Sequence, residues 1–324
     1  MHGATCGHQP PRRVCDLCSG ERGAVPFLAC SLACLKAHQA AEHAEAPAET
    51  AARAAAYQAR VNSNVANNRE WYAGHRARVT ELILAVAKGG ELAVLGAGNG
   101  SDLDLPALAA RFASLHLVDI DGEALERCRG GAPASIREKL VLHPEIDLSG
   151  FGDRIDEWGD AFPAAAELGA AAQPAIGRVL RALGRPFDVV VSTCALSQLA
   201  VPYHRAWILP ASDWTNLHAA VAAVHLATIV GATKPGGTGI LVFDVLSSRT
   251  APALRDVGGA PEDSAAFVER HEASGGQLDP SPAGLLARLG GMGRLVEDAR
   301  LLGPWTWNIG AETQLVYAIA FSRA

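Results

Sequence analysis

Eight side chains suited to binding a transition metal fall in closely spaced pairs within the first 43 residues: Cys6, His8, Cys15, Cys18, Cys30, Cys34, His38 and His43. Thiolate and imidazole are the ligands zinc prefers, and four of them close a structural site, so eight imply two ions. The ligands come in pairs spaced C-x-H, C-x2-C, C-x3-C and H-x4-H. Gly7, Pro10, Pro11, Gly20 and Gly23 lie between the pairs and suit tight chain reversals. A segment this short buries too little apolar surface to fold without a metal or a disulfide. The alternative is that some of these residues are ordinary thiols and surface histidines. A disulfide framework is the weaker reading, because no apolar h-region precedes the cysteines and the expected compartment is the reducing cytoplasm. Only Cys128 and Cys194 lie elsewhere in the chain.

Four pairs fit an interleaved cross-brace in which Cys6, His8, Cys30 and Cys34 hold one ion and Cys15, Cys18, His38 and His43 the other. The spacing leaves other pairings open. The run at 30–38, Cys-Ser-Leu-Ala-Cys-Leu-Lys-Ala-His, followed by His43, resembles the C-terminal half of MYND-type zinc fingers, which read C-S-x-x-C-x-x-x-H before a last ligand. Two departures stand out: His43 takes the place of the family's last Cys, and Cys6-x-His8 replaces its opening Cys pair. Four complete pairs leave no open coordination position, which points to structural zinc. The resemblance implies a module able to dock short proline-containing peptides.

The rest of the chain has the composition of a globular protein with room for two domains: 49% hydrophobic and 19% charged over 324 residues. A formal net charge of −6 and the lack of a basic run argue against nucleic acid as the partner. No apolar stretch stands out as long enough to span a bilayer, so no membrane partner is expected.

A second chemical signal begins at Glu91. Leu92-Ala93-Val94-Leu95 reads as a short buried strand, and Gly96-Ala97-Gly98-Asn99-Gly100 as a glycine-rich turn into a helix over 101–112. Glycines let the backbone approach a ligand closely, and the helix N-terminus offers free N–H donors. A second strand, Leu115-His116-Leu117-Val118, ends in Asp119-Ile120-Asp121, where an acid can accept both hydroxyls of a ribose. A nicotinamide-binding domain would show G-x-G-x-x-G; this turn reads G-x-G-x-G, followed by Ser101 and Asp102.

Strand, turn and acid together resemble the class I S-adenosylmethionine-dependent methyltransferases, and the resemblance spans roughly residues 90–324. It implies an α/β fold, a Rossmann-like seven-stranded sheet closed by a C-terminal antiparallel hairpin, here from the apolar runs 294–301 and 313–321. It also implies that Gly96, Gly98, Asn99, Gly100, Asp119 and Ile120 hold the cofactor. After a third strand at 139–143, Asp147 would meet the adenine amino group and Leu148 the ring. A fourth strand at 187–191 runs into Ser192, Thr193, Cys194 and Gln198, where the family's methyl-transfer site lies. Lys234-Pro235-Gly236-Gly237 looks like the usual turn into strand five at 239–244.

The elements that must position these groups are less specific. Residues 44–59 are rich in Ala, Glu, Gln and Arg and read as a linker helix. Asn62, Asn64, Asn67 and Asn68 follow, then Trp71, Tyr72, His75 and Arg76 ahead of a helical face at Val79, Leu82, Ile83 and Val86. Capping with packing, or a lid over a ligand, would account for that cluster equally well. As a lid, Tyr72 and His75 would meet substrate and Arg76 the methionine carboxylate. Insertions at 153–184 and 202–231 would cap the pocket and choose the acceptor. In the second, Ser212 is a candidate N-cap, and Trp214, His218, Val221 and His225 recur on one helical face.

Methyl transfer from a sulfonium is an in-line displacement, so alignment in a dry pocket is the main requirement. For a protic acceptor a general base of near-neutral pKa helps, and His204 and His218 are the candidates. Trp214, His225, Cys194 and Gln198 complete the expected acceptor site, although a buried His is often only core and a Cys after a buried strand only packing. The expected organisation is a zinc-binding module at 1–44, a helical linker or lid at 45–90 and a methyltransferase domain at 91–324. The expected acceptor is a small molecule or peptide, with zinc (two ions) bracing the fold, shaping the entrance or mediating a homodimer or protein contact. The alternative is an interaction protein whose finger docks a partner that the second domain methylates or merely supports.

Overall fold

The computed structural model describes residues 13–15, 27–29, 50–152, 154, 158, 162–206 and 211–324. The chain divides into two compact units, Met1–Glu49 and Thr50–Ala324. In the first, β1 (Arg13–Cys15) pairs antiparallel with β2 (Phe27–Ala29), Cys15 facing Phe27 across the ladder. The other seven expected zinc ligands and every side chain of this unit lie outside the described residues.

The second unit opens with α1 (Thr50–Val65), a single 3-10 turn at Arg69–Tyr72 and α2 (Ala73–Val86). The segment expected as linker or lid therefore packs in the same unit as the sheet. Val79, Leu82 and Ile83 of α2 are buried, as their helical spacing requires.

A βαβ series follows: β3 (Glu91–Leu95), α3 (Leu105–Arg111), β4 (Ser114–Val118), α4 (Gly122–Gly131), the short α5 (Ala134–Arg137) and β5 (Leu140–His143). The helix after the glycine turn starts at Leu105 rather than at Ser101, because Asp104 caps it, its carboxylate accepting the Ala107 N–H at 3.1 Å, and Pro106 sits in its first turn. Ser101 and Asp102 are thereby left in the turn. Then come α6 (Ala165–Leu183), β6 (Phe187–Thr193), the short helices α7 (Leu196–Leu199) and α8 (Val201–Ala206), α9 (Ala211–Ala232) and β7 (Thr233–Ser247). Two further helices, α10 (Pro261–Ala273) and α11 (Pro282–Gly290), precede the hairpin β8 (Val296–Ile309) and β9 (Glu312–Arg323).

The strands form one seven-stranded sheet in the order β5-β4-β3-β6-β7-β9-β8. The first five are parallel and β9 enters antiparallel between β7 and β8, so the expected Rossmann-like sheet and closing hairpin are present. β3 and β6 are buried along nearly their whole length, which explains their unbroken apolar runs. One core, with Leu92, Val94, Val189, Val191 and Trp305, fills one face of the sheet; the other, with Ala93, Leu95, Val190, Phe243 and Ile319, fills the opposite face.

Helix α9 begins at Ala211, one residue before the Ser212 expected to cap it. Its residues 213–232 are long and apolar enough, by length and composition, to cross a bilayer, contrary to the reading of the sequence, yet 56% of that stretch is buried inside the protein. An apolar helix laid against a sheet satisfies the same length and composition as a membrane span.

Candidate active site

Chain order reverses between β3 and β6, which leave the middle of the sheet in opposite directions, and a crevice opens at the carboxyl ends of such neighbouring strands. A cavity lies there, enclosing about 880 Å³ of space free of atoms, open solvent at its mouth included. Its lining comes from the glycine turn, the ends of β4 and β6, the loop after β5, helix α1 and the hairpin.

The glycine turn is built for close approach. Gly96, Gly98 and Gly100 have φ of 76°, 47° and 65°, in the left-handed region that other residues enter at a cost. A Cβ on Gly96 would lie 2.6 Å from that of Ala195, and one on Gly98 2.9 Å from Asn62 Oδ1. Gly100 is turned away from the cavity, since a Cβ there would meet Cys128 Sγ at 2.4 Å. Its part is to let α4 pack under the turn.

Asp119 ends β4 as expected and ties the turn together. Its Oδ2 accepts the Gly98 N–H at 2.8 Å and its Oδ1 the Asp121 N–H at 2.9 Å. Burial pushes its pKa up to about 6, against the backbone donors that hold it down. Asp121 caps α4 and accepts the Asn62 amide at 3.0 Å, while Asn99 donates to the Asn62 carbonyl at 2.7 Å. Helix α1 is thus strapped across the glycine turn. Gln58, one turn earlier, donates to Gln198 at 3.3 Å.

Ile120, Ile146, Asp147 and Leu148 form the wall beyond Asp119. The Asp147 carboxylate is largely used within its own loop, accepting from Ser149, Gly152 and the Tyr203 hydroxyl. Opposite, Tyr72 and Trp307 pack with ring centroids 5.1 Å apart. Cys194 sits at φ 48°, a left-handed conformation rare for a residue with a side chain, and lines the cavity directly after β6. Burial, with Asp244 and Asp102 nearby, holds its thiol well above the usual range, so it stays protonated and makes a poor nucleophile.

Of the residues singled out in the sequence, the cavity brings together Gly96, Gly98, Asn99, Asp119, Ile120, Asp147, Leu148, Tyr72, Cys194 and Gln198. Others sit elsewhere for identifiable reasons. Ser192 points into the core, where its hydroxyl meets His225 Nε2 at 2.7 Å, so both are packing partners behind β6. Arg76 spends its guanidinium on the carbonyls of Ser101, at 2.9 Å, and Arg69. His75 is buried beneath the wall, stacked on Trp307 at 4.2 Å. His218 and Trp214 line a separate crevice with Asp279, Ser281 and Arg288. His204 lies in α8, but its side chain is outside the described residues.

The sequence reading assigned no role to Asp102, Gln58, Tyr203 and Trp307, and named Thr193 only within the methyl-transfer segment and Asn62 only within the cap-or-lid cluster; all six line the cavity. For Asp102 a signal existed: Asp104 followed by Pro106 marks a later helix start. For Trp307 none did, because a hairpin far along the chain delivers it. Among the described residues, no group of three or more His, Cys, Asp or Glu could hold a metal ion. The residues present do fit an adenosine-bearing cofactor, with a glycine cradle that any Cβ would fill and a buried acid beside it.

No family model matches the chain, and no curated protein does. Solved structures are similar to it at low identity. An O-methyltransferase family protein from Burkholderia thailandensis is 15% identical with a TM-score of 0.40, over 82% of this chain and 59% of its own. A methyltransferase from Bacillus halodurans, described as putative, is 11% identical with a TM-score of 0.40, over 76% and 97%. The glycopeptide N-methyltransferase MtfA, complexed with S-adenosylmethionine, is 18% identical with a TM-score of 0.31, over 53% and 55%. At these values the likeness leaves the chemistry to be argued from the site itself.

Proposed function

We propose that residues 50–324 bind S-adenosylmethionine in this cavity and transfer its methyl group to a small-molecule or peptide acceptor. The observation that carries the reading is the pairing of the glycine cradle at 96–98 with the Asp119 carboxylate, hydrogen-bonded to each other and both in the wall of the cavity. Each Asp119 oxygen accepts one backbone N–H and keeps a lone pair for one of two vicinal hydroxyls. Ile120, Ile146 and Leu148 would flank a purine. Asn62 and Gln58 on α1 cover the turn, and Tyr72 and Trp307 exclude water from the far end, as a displacement with charge loss requires.

When bound, the cofactor supplies an electrophilic methyl group on a positively charged sulfur. The chain's residues have alignment and proton removal to provide. Titration calorimetry with S-adenosylhomocysteine tests the reading: micromolar binding is expected, and its loss in Asp119→Ala. Absence of binding to the folded protein would overturn it. The Cys and His pairs of 6–43 support two structural zinc ions as part of the same proposal; metal analysis of the purified chain is expected to give about two per protein, and a metal-free chain would refute it.

A further inference from the structure

Asp102 is a buried carboxylate for which the cofactor reading has no use. It lines the cavity beside Tyr72, Thr193, Cys194 and Trp307, with a side chain 16% exposed. Its Oδ1 has no hydrogen-bond partner; the nearby Thr193 hydroxyl, which donates to the Gly96 carbonyl at 3.5 Å, favours the charged form of the carboxyl. A buried carboxylate oxygen without a donor is costly and is retained where a ligand or a proton completes it.

What faces it is arranged with care for charge. His75 Nε2 lies 3.7 Å from Oδ1. His75 Nδ1 accepts the Trp305 indole N–H at 3.2 Å, so the ring proton sits on Nε2, which lies 3.9 Å from Cys194 Sγ as well as near the carboxylate. Burial holds the His75 pKa at about 3, so the ring is neutral and forms no ion pair with Asp102. The other titratable groups nearby are the Tyr72 hydroxyl and the Cys194 thiol, both pushed up and protonated, and the Arg76 guanidinium, which lowers the Asp102 pKa but is hydrogen-bonded to backbone carbonyls. Burial outweighs Arg76, and Asp102 is pushed up to about 7.

We propose that Asp102 is the general base of the transfer, that His75 and Thr193 are the residues that position it, and that the acceptor is therefore an N–H or O–H nucleophile. This rests on the cofactor reading above. In the step, the acceptor's lone pair forms the bond to the methyl carbon and the carbon–sulfur bond breaks, leaving its electron pair on sulfur as a thioether. The acceptor's proton passes to the exposed side of the Asp102 carboxylate, Oδ1 being buried against His75, and afterwards to solvent through the cavity mouth. Atoms and charge balance: one sulfonium and one protic acceptor become one thioether, one methylated acceptor and one proton. A base whose pKa lies near the working pH is the most effective for this transfer.

The test pairs a carboxyl titration with a binding measurement, on the full chain labelled with 13C at the aspartate carboxyls. One carboxyl is expected to titrate near neutrality and to be missing in Asp102→Asn; Asp119 and Asp244, also pushed up by burial, remain in that variant. Thr193→Val removes the hydroxyl that favours the charged form and should raise the titration by about half a unit or more, and His75→Phe, if it folds, removes the polar ring edge 3.7 Å from Oδ1 and should shift it in the same direction. Affinity for S-adenosylhomocysteine should stay within about threefold in Asp102→Asn, about 0.7 kcal/mol. A spectrum with no Asp102 titration between pH 6 and 8 overturns the proposal. So does a loss of affinity of about tenfold or more, which would make Asp102 the partner of the ligand's own ammonium group. If the unsubstituted protein fails to bind S-adenosylhomocysteine while Asp102 titrates as expected, it is the cofactor reading that has failed, and the base role falls with it.

Discussion

Individual residues at this site are held in states that water would not allow. Gly96 is the sharpest steric case: a methyl group there has neither room beside Ala195 nor a relaxed φ. Gly96→Ala is expected to cost about 1–3 kcal/mol in denaturant unfolding and to abolish nucleotide binding. Protonation states are the electrostatic counterpart. His225 is fully buried, and burial lowers its pKa to about 4. A depressed folded pKa means that stability is fully present above the unfolded value near 6.5 and is lost as pH falls toward about 4. The parent protein should therefore lose about 2 kcal/mol from this group between pH 7.5 and 5. Whatever His225→Asn costs at pH 7.5, its deficit should shrink by about that amount at pH 5, as paired urea titrations would reveal. Asp102 and Asp119 act with the opposite sign. Their folded values are raised, so their contribution is present below about pH 4 and is lost as pH rises through about 6 for Asp119 and about 7 for Asp102.

Among the elements, α1 has the most to do relative to its intrinsic stability. Sixteen residues rich in alanine make a good helix, but its hold on the sheet domain near the cavity runs through Asn62, which is bonded to Asp121 and Asn99. Removing that amide strips the buried Asp121 carboxylate of one donor, a loss of about 1–3 kcal/mol, while the bond from Asn99 to the Asn62 backbone carbonyl remains. Asn62→Ala is thus expected to weaken S-adenosylhomocysteine binding by about tenfold or more, with little change in the sheet. Hydrogen exchange should show α1 amides slowed by the ligand in the parent protein and not in the variant; equal protection in both would remove α1 from the site. The hairpin β8–β9 is the other delivering element. Its Trp305 fixes the His75 tautomer and its Trp307 closes the wall, so one insertion in the sheet supplies two separate functions.

In the whole molecule, the hydrophobic cores and the described residues that line the cavity fall within 50–324. That unit carries its own hydrophobic cores on both faces of one sheet, the usual condition for folding alone. A fragment beginning at Thr50 is expected to unfold cooperatively and to bind S-adenosylhomocysteine within about threefold of the full chain. A fragment that fails to fold would show that the first unit is needed for more than its own structure.

The sequence by itself determined the central strands and the glycine turn with its acid, because these are local. Apolar runs at Leu92–Leu95 and Val189–Val191 need only their own composition to read as buried strands, and the turn at 96–100 with Asp119 needs only spacing. Even the helix start after Asp102 was written there, in Asp104 and Pro106. Tertiary structure decided which charged and aromatic groups share the cavity. Periodicity places Trp214, His218 and His225 on one helical face but does not say what that face meets; packing sent His225 to Ser192 and His218 to a different crevice. Conversely Asp102, His75 and Trp305 lie up to 230 positions apart and form one chain of contacts only because β9 inserts antiparallel and carries β8 beside α2. Spacing along a chain encodes neighbours on one element, whereas desolvation and proton placement depend on elements that meet only when the sheet closes.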